Sequence, residues 1–406
     1  PSPSSLSSAT AAPRSMAVGG AKTIGLGGSV MLLTNNLAGP ALSLMPVLAH
    51  RAGWLPVLSV MLALGGIAGS CAWMLLYALR RLPGNMDYQL RVEFADLTHH
   101  YFGRGGGRAF HVLAMVSFFG YLVLTLVSYI VQTAQVLDHS SRNVFGCAYA
   151  VGIWPDFATG LCGTHEDTTT PFAEVRVLPL SFLGIALLCA PMAWLNLDDN
   201  VVLQWVAVIG LLMLGAMWLV FFSTTPGFPH SAELPIGTTS RSAWSQLCGV
   251  LLFNFASVTT LPSWVNEKAP EVPTMRVVCI SLGLVIALYS SLGIVGALAF
   301  DDWGRGNLFT KLNRSGSSLM KATVGIYPLL QNLTTIPVLS ILIKYNLLQL
   351  GWVGRRDALL ISFVLPWLLS IVFYGGDGFA VVCEVGGLAF SSIVNFLVPV
   401  ALFWAA

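Results

Sequence analysis

Charged side chains are scarce in this sequence. Twenty Lys and Arg and 18 Asp and Glu make up 9% of the 406 residues, whereas a soluble domain carries about 25%. So few charged side chains cannot cover the surface of a folded chain of this size well enough to keep it in water, which excludes a soluble enzyme and a disordered chain. A net charge of +2 also lacks the basic footprint of a nucleic-acid-binding protein, so we expect no nucleic-acid partner.

Cysteine is also sparse, since seven scattered residues cannot form a disulfide scaffold. The first residues are rich in Ser, Ala and Pro and lack the apolar core of a signal peptide. We predict a disordered cytosolic tail over 1–22, with the remnant of a transit peptide as the alternative. Because the sequence starts at Pro1 instead of Met and ends at Ala406 within an apolar run, we expect a partial chain.

Long apolar segments dominate what is present, with 55% hydrophobic residues and a mean hydropathy of +0.76. An isolated span must pair its backbone internally, and these runs lack the alternation of barrel strands, so we expect helices. The sequence predicts an all-α integral membrane domain over 23–406, surrounded by the lipid bilayer. Ten segments are long enough to cross about 30 Å of hydrocarbon: 24–49, 54–79, 109–137, 176–195, 200–223, 244–265, 273–299, 321–346, 357–374 and 379–404.

Basic residues in the loops predict the orientation of the chain. Cytosolic loops are enriched in Lys and Arg, which favours a cytosolic N-terminus. The loop between the second and third spans is the most basic and holds Arg80, Arg81, Arg91, Arg104 and Arg108.

Two features of the predicted outside loops agree with this orientation. Asn313 begins the sequon Asn-Arg-Ser, so we expect glycosylation there. Cys147 and Cys162 share the long outside loop, where they either form a disulfide or remain two free thiols.

Polar and helix-breaking residues interrupt two spans. The first span contains Asn35, Asn36, Gly39 and Pro40 near its middle, and the sixth contains Asn254, Ser257, Thr259, Thr260 and Pro262. Proline removes a helix hydrogen bond and glycine permits unwinding. Interruptions five spans apart are typical of an inverted-repeat transporter, with a first repeat at about 24–223 and a second at about 244–404. The alternative is a pair of kinks that serve only packing.

Four groups of residues carry a family resemblance. They are Gly39–Pro46 with Ala52-Gly53-Trp54; Glu93–Gly103; Phe253-Asn-Phe with Leu261-Pro262 and Glu267; and Gly386-Gly387 with Ser391, Phe396 and Pro399. In this order they resemble the motifs of the amino acid/auxin permease family, within the amino acid–polyamine–organocation group. Pro40 and Ala41 stand where the family usually has two small residues, often Ser or Ala followed by Gly.

The resemblance implies a LeuT-like 5+5 inverted-repeat helix bundle. The family usually has eleven helices, so ten spans fit a missing C-terminus. It further implies a secondary active amino acid transporter that works by alternating access, is coupled to Na⁺ or H⁺, and needs no cofactor. We expect a monomer in the plasma membrane or in a vacuolar or lysosomal membrane.

The resemblance also suggests residues that couple an ion. Asn35, Thr334 and Thr335 match the Asn and Thr residues of the cation site in the sodium-coupled neutral branch of the family. The alternative is a packing amide and hydroxyls that bond back to their own helix. Glu384 is the candidate for proton coupling or for an outer gate, and it can instead extend to the membrane surface.

The candidate substrate-binding residues lie at the two interruptions and on the third span. Thr125 and Tyr129 are four residues apart and share a helix face. None of the candidates is charged, which favours neutral amino acids. The full set is Asn36, Ala38, Gly39, Pro40, Thr125, Tyr129, Asn254, Phe255, Ala256 and Ser257.

Two other classes of function are alternatives to transport. An amino-acid-binding membrane sensor without net transport is the main alternative. A membrane-embedded enzyme would need clustered acid–base or metal-binding residues. His99, His100 and Asp96 lie in the basic loop, where a solvated segment under the bundle is the simpler interpretation, so we do not expect an enzyme.

Overall fold

The computed structural model describes residues 22–154, 157, 159–165, 170–172, 175–194, 197, 200–230, 234–300, 303, 306–351, 353–375 and 378–406. The predicted tail over 1–22 therefore lies outside the described residues, apart from Lys22. The described chain is mostly helical, as the apolar composition predicts.

Seven apolar helical segments are long enough to cross a bilayer, or eight if one bent pair of helices is a single span. The chain is thus an integral multi-pass membrane protein. The long segments are α3 (Trp54–Arg81), α5 (Arg108–Phe145), α7 (Val201–Ser223), α10 (Thr274–Ala299), α12 (Ser318–Leu330) with α13 (Asn332–Leu350), α14 (Arg355–Phe373), and α15 (Gly378–Val385) followed by a π-helical stretch Gly386–Leu397 and α16 (Val398–Ala405).

The remaining predicted spans are interrupted or short. The first consists of α1 (Leu26–Leu37), a 3₁₀ turn at Pro40–Leu44 and α2 (Met45–Ala52), with a bend of 51°. The fourth is the 15-residue helix α6 (Leu180–Trp194), and the sixth consists of α8 (Arg241–Asn254) and α9 (Leu261–Glu267). Every predicted span thus has a helical counterpart, while ten complete crossings and the 5+5 repeat stay predictions.

The segment α12–α13 lies in the interior of the bundle. Its most apolar stretch is 78% buried inside the protein, whereas the corresponding stretch of α14 is 22% buried. Helices α5, α6, α7 and α14 pack around it. Polar side chains on α13 therefore face other helices instead of lipid.

Two predicted boundaries are wrong. The third span does not end at residue 137, because α5 continues to Phe145 and ends at Gly146, whose φ of 76° needs a glycine. The sequence 138–143 is polar, but it continues the helix, and Asp138 is buried. Residues 176–179, placed in the fourth span, form a strand.

A small antiparallel sheet follows α5, with strand order β2–β1–β3. Its strands are β1 (Ala148–Trp154), β2 (Gly160–Gly163) and β3 (Arg176–Pro179). At the other end of α5, the short helix α4 (Phe94–Phe102) packs against α5 and α13. A parallel bridge joins Ile24 to Lys268. The end of the bundle where Ile24, α4 and α9 lie is the N-terminal face. Two short helices remain, a 3₁₀ turn at Gly105–Gly107 before α5 and α11 (Leu308–Arg314) before α12.

Candidate functional site

The interruption between α1 and α2 frees backbone carbonyls inside the protein. A buried carbonyl without a partner is costly. Gln331, between α12 and α13, donates through Nε2 to the carbonyls of Asn35 at 2.8 Å and Ala38 at 2.6 Å. Gln331 is fully buried. One amide group therefore replaces two missing helix hydrogen bonds at this break.

Tyr289 on α10 connects the two interrupted helices. Its hydroxyl lies 3.2 Å from the carbonyls of both Leu37 and Gly39, and 3.1 Å from Oδ1 of Asn254 at the end of α8. The amide of Asn254 is oriented by its Nδ2, which donates to the Val250 carbonyl at 2.8 Å. A hydroxyl has one hydrogen to donate, so three acceptors share one donor.

The second interruption, residues 255–260 between α8 and α9, is stabilised in the same way. Side chains of α5 and of the π-helical stretch supply the partners that the broken helix lacks. The contacts are Tyr121 OH to the Phe253 carbonyl at 3.0 Å, Ser391 Oγ to the Leu252 carbonyl at 2.6 Å, and Val258 N–H to Oδ1 of Asn395 at 3.1 Å.

A second polar cluster surrounds Asn35. Its Nδ2 donates to Gln204 Oε1 on α7, and lies 3.1 Å from both Thr334 Oγ1 and Thr335 Oγ1 on α13. An amide nitrogen has two hydrogens, so three oxygens again outnumber the donors. Oδ1 of Asn35 is buried without a hydrogen-bond partner.

The threonine hydroxyls also satisfy the alternative prediction of bonding within their own helix. Thr334 donates to the Leu330 carbonyl and Thr335 to the Gln331 carbonyl, both at 2.9 Å. Because each hydroxyl hydrogen is used in this way, its lone pairs point toward Asn35. An oxygen in this state is an acceptor for an amide or a ligand for a cation.

The predicted residues on α5 differ in their surroundings. Thr125 is buried and donates to the Tyr121 carbonyl of its own helix at 2.8 Å. Tyr129 faces the first break, since its hydroxyl would lie 3.2 Å from a Cβ at Gly39. The same Cβ would lie 2.6 Å from Oδ1 of Asn254, so Gly39 brings the two breaks into close approach.

The other predicted substrate residues lie within the breaks or, for Asn36, in the last turn of α1. Asn36 donates to the Leu32 carbonyl at 3.0 Å, and the Ser257 hydroxyl is buried without a hydrogen-bond partner. Pro40 begins the 3₁₀ turn. Ala38, Phe255 and Ala256 are buried.

Three further predictions concern other parts of the chain. Glu384 on α15 is half-buried and accepts a 2.7 Å hydrogen bond from Ser245 on α8, away from the Asn35 cluster. Asn313 is half-buried in α11. Cys147 and Cys162 form a disulfide that joins β1 to β2.

Several polar residues of the site were missed in the sequence. Their sequence signal is an amide or hydroxyl in a largely apolar segment, and the residues are Gln204, Tyr289, Gln331 and Asn395. Besides Glu384, the described residues include three buried acidic side chains, Glu93, Asp138 and Glu267. Asp138 on α5 accepts from Tyr374 and Ser181, and Glu93 lies at the start of α4.

Comparisons with known proteins agree with this architecture. A family model described as transmembrane amino acid transporter protein matches residues 22–345, which contain both interrupted helices. The chain is also similar to Transmembrane protein 104 of Gallus gallus, with 20% identity over 283 residues. This match covers 66% of the chain and 52% of the relative, so the chain spans about half the length of that protein.

Proposed function

The chain belongs to the transmembrane amino acid transporter family, and we propose that it carries an amino acid across the bilayer by alternating access, coupled to a cation. The pair of interrupted helices carries this proposal. Their backbone groups are held by side chains of neighbouring helices, and such contacts can be exchanged for a ligand. Since Ala38, Gly39 and residues 255–260 are buried, a substrate reaches them only when the helices separate.

We place the substrate ammonium group at the shared hydroxyl of Tyr289. The carbonyls of Leu37 and Gly39 and Oδ1 of Asn254 surround one hydrogen. An ammonium group has three hydrogens to donate and a positive charge. It could therefore satisfy all three acceptors, which the single hydroxyl hydrogen of Tyr289 cannot do. The substrate-binding residues predicted around it are uncharged, which supports neutral amino acids as substrates.

We place the coupling cation, Na⁺, at the Asn35 cluster. Rotation of the Asn35 amide by 180° would direct Oδ1, instead of Nδ2, at Gln204 Oε1, Thr334 Oγ1 and Thr335 Oγ1. Four oxygens would then converge, and hard cations prefer oxygen ligands. None of these four side chains titrates near neutral pH, which favours Na⁺ over H⁺ at this position.

The N-terminal face is assigned to the cytosol by this proposal. Arg80, Arg81, Arg91, Arg104 and Arg108 lie in or next to the segment that joins α3 to α5 on that face. The sheet and its disulfide then lie on the opposite side of the membrane.

Reconstituted uptake tests the proposal. Purified protein in liposomes is given a panel of labelled amino acids under an inward Na⁺ gradient, a matched choline gradient, or a pH gradient without Na⁺. We expect accumulation of neutral amino acids with Na⁺ alone. Accumulation driven only by the pH gradient would overturn Na⁺ coupling. Substrate-dependent thermal stabilisation without flux under any gradient would overturn transport in favour of a sensor.

A further inference from the structure

A buried carboxyl group joins three elements at the N-terminal face. Glu93, at the start of α4, is 8% exposed. It accepts hydrogen bonds from Ser263 Oγ and, at 2.9 Å, Asn266 Nδ2 on α9, and lies 3.3 Å from Asn346 Nδ2 on α13. A second contact joins the same two segments, because Oδ1 of Asn266 on α9 accepts a hydrogen bond from the backbone N–H of Val92 at 2.9 Å.

Helix α9 closes this face of the bundle. All seven of its residues are buried, and it directly follows the second break. The segment before α1 pairs with its end, through Ile24 N–H to the Glu267 carbonyl at 3.1 Å and Ala269 N–H to the Ile24 carbonyl at 2.9 Å. A release of α9 from α4 would therefore loosen the closed end of both interrupted helices.

Arg91 lies two residues before Glu93, but among the described residues no basic side chain holds the pKa of Glu93 down. Asp96 is on the same helix, and Glu267 on α9 lies 3.5 Å from the Tyr345 hydroxyl of α13. Three lysines lie on nearby elements and direct Nζ at backbone carbonyls: Lys22 at Tyr88, Lys268 at Ala269 and Lys344 at Ala193. Burial, with a smaller contribution from Asp96, raises the pKa of Glu93 from 4.5 to about 7.

We propose that Glu93 is a proton-binding site that keeps α9 docked on α4 and α13 while protonated and releases α9 when it ionises. The neutral acid fits the closed contacts, because the Ser263 hydroxyl can accept as well as donate. The carboxylate gains from hydration, which it obtains only when α9 moves away.

The direction of the pH effect follows from linkage. The closed arrangement raises the pKa of Glu93 above its value in water, so protons bind more tightly to the closed than to the open form. Closure is therefore favoured at low pH and lost as pH rises between about 4.5 and about 7, by up to about tenfold per pH unit. This inference rests on the proposed function only for its consequence. In a transporter, release of the proton from Glu93 would allow the bundle to open at the N-terminal face.

Hydrogen exchange of the full-length protein in nanodiscs tests the docking of α9. Exchange of the backbone amides of 261–267 is measured at about pH 6 and about pH 8 and corrected for the intrinsic rates. We expect the corrected exchange of the wild type to be about tenfold faster at the higher pH. Glu93→Gln, which mimics the neutral acid, should exchange slowly at both values.

Glu271→Gln is the matched control, because Glu271 is exposed near the same face. It should behave as the wild type. A wild type without pH dependence would overturn the proposal even if Glu93→Gln did not fold, and so would a folded Glu93→Gln that keeps the full pH dependence. No substrate is needed, so an exchange result of either kind is independent of whether the protein transports amino acids.

Discussion

Gly39 is the residue at which the two breaks come closest. Its φ of −74° is open to any residue, so the demand for glycine is one of space. An added Cβ would lie 2.6 Å from Oδ1 of Asn254, and such overpacking costs about 1–3 kcal/mol. We expect Gly39→Ala to reduce the rate of amino acid uptake about tenfold or more, measured in liposomes at equal protein content.

A control for this change is available on α3. Gly66 is exposed, and a Cβ there would have nothing within 4 Å. Gly66→Ala should leave uptake unchanged and, as a helix-interior substitution, stabilise the protein by up to about 1 kcal/mol. Normal uptake by Gly39→Ala would contradict the close approach of the breaks during transport.

Thr335 tests the cation site at the level of one oxygen atom. Thr335→Val removes a hydroxyl and keeps the shape of the side chain. We expect the Na⁺ concentration for half-maximal uptake to rise about tenfold, as for the loss of one ligand worth about 1.4 kcal/mol. Ser340→Ala is the control on the same helix, since its buried hydroxyl donates to the Ile336 carbonyl. Equal Na⁺ dependence in both variants would refute a role of Thr335 in cation binding.

The sequence led to some of these residues and not to others. Asn35, Thr334 and Thr335 could be matched to a family motif, and the structure brings them within hydrogen-bond distance, while their ion-binding role stays a prediction. Tyr289 and Gln331 could not be found in this way. Both contact backbone carbonyls of the first break, and a contact with a backbone atom leaves no partner residue type that could be recognised in the sequence.

At the scale of helices, the breaks were predictable because glycine and proline act locally. The end of α5 and the start of the fourth span were not predictable, because they depend on contacts with other parts of the chain. A polar stretch such as 138–143 remains helical because Tyr374 and Ser181 bind the Asp138 carboxylate. Likewise, the pairing of β3 with β1 decides that residues 176–179 are extended.

The contact of α10 with both interrupted helices leads to a prediction at this scale. Tyr289→Phe removes the hydroxyl that joins them, so we expect a loss of about 0.5–1.5 kcal/mol in stability. The KM for the amino acid should rise, because the acceptors of the ammonium group are no longer held together. Thermal unfolding and the concentration dependence of uptake measure the two effects.

Tyr327→Phe provides the comparison. The Tyr327 hydroxyl on α12 is buried without a hydrogen-bond partner, so its removal should be neutral or slightly stabilising. If both substitutions had the same effect, the hydroxyl of Tyr289 would have no specific role between the helices.

At the scale of the whole molecule, the described chain contains two parts that are stabilised by different interactions. The bundle relies on apolar packing with a few buried polar clusters. The sheet β1–β3 lies beyond the end of α5, and its disulfide closes a loop with a sequence separation of 15. Tyr129, which faces the first break, is 16 residues from Phe145, or roughly 24 Å along the helix. The stability of the sheet should thus be separable from transport.

Removal of the disulfide tests this separation. For a loop of this length, chain entropy predicts a loss of about 3 kcal/mol. We expect Cys147→Ser with Cys162→Ser to expose the sheet to limited proteolysis, while uptake per correctly folded molecule stays at the wild-type level. Cys279→Ala is the control, because Cys279 is a free, exposed cysteine on α10 and its loss should change neither property. If uptake fell in parallel with the proteolysis, the separation would be refuted. Disorder of the sheet would then reach the two breaks through α5, and the sheet would support the movements of the bundle.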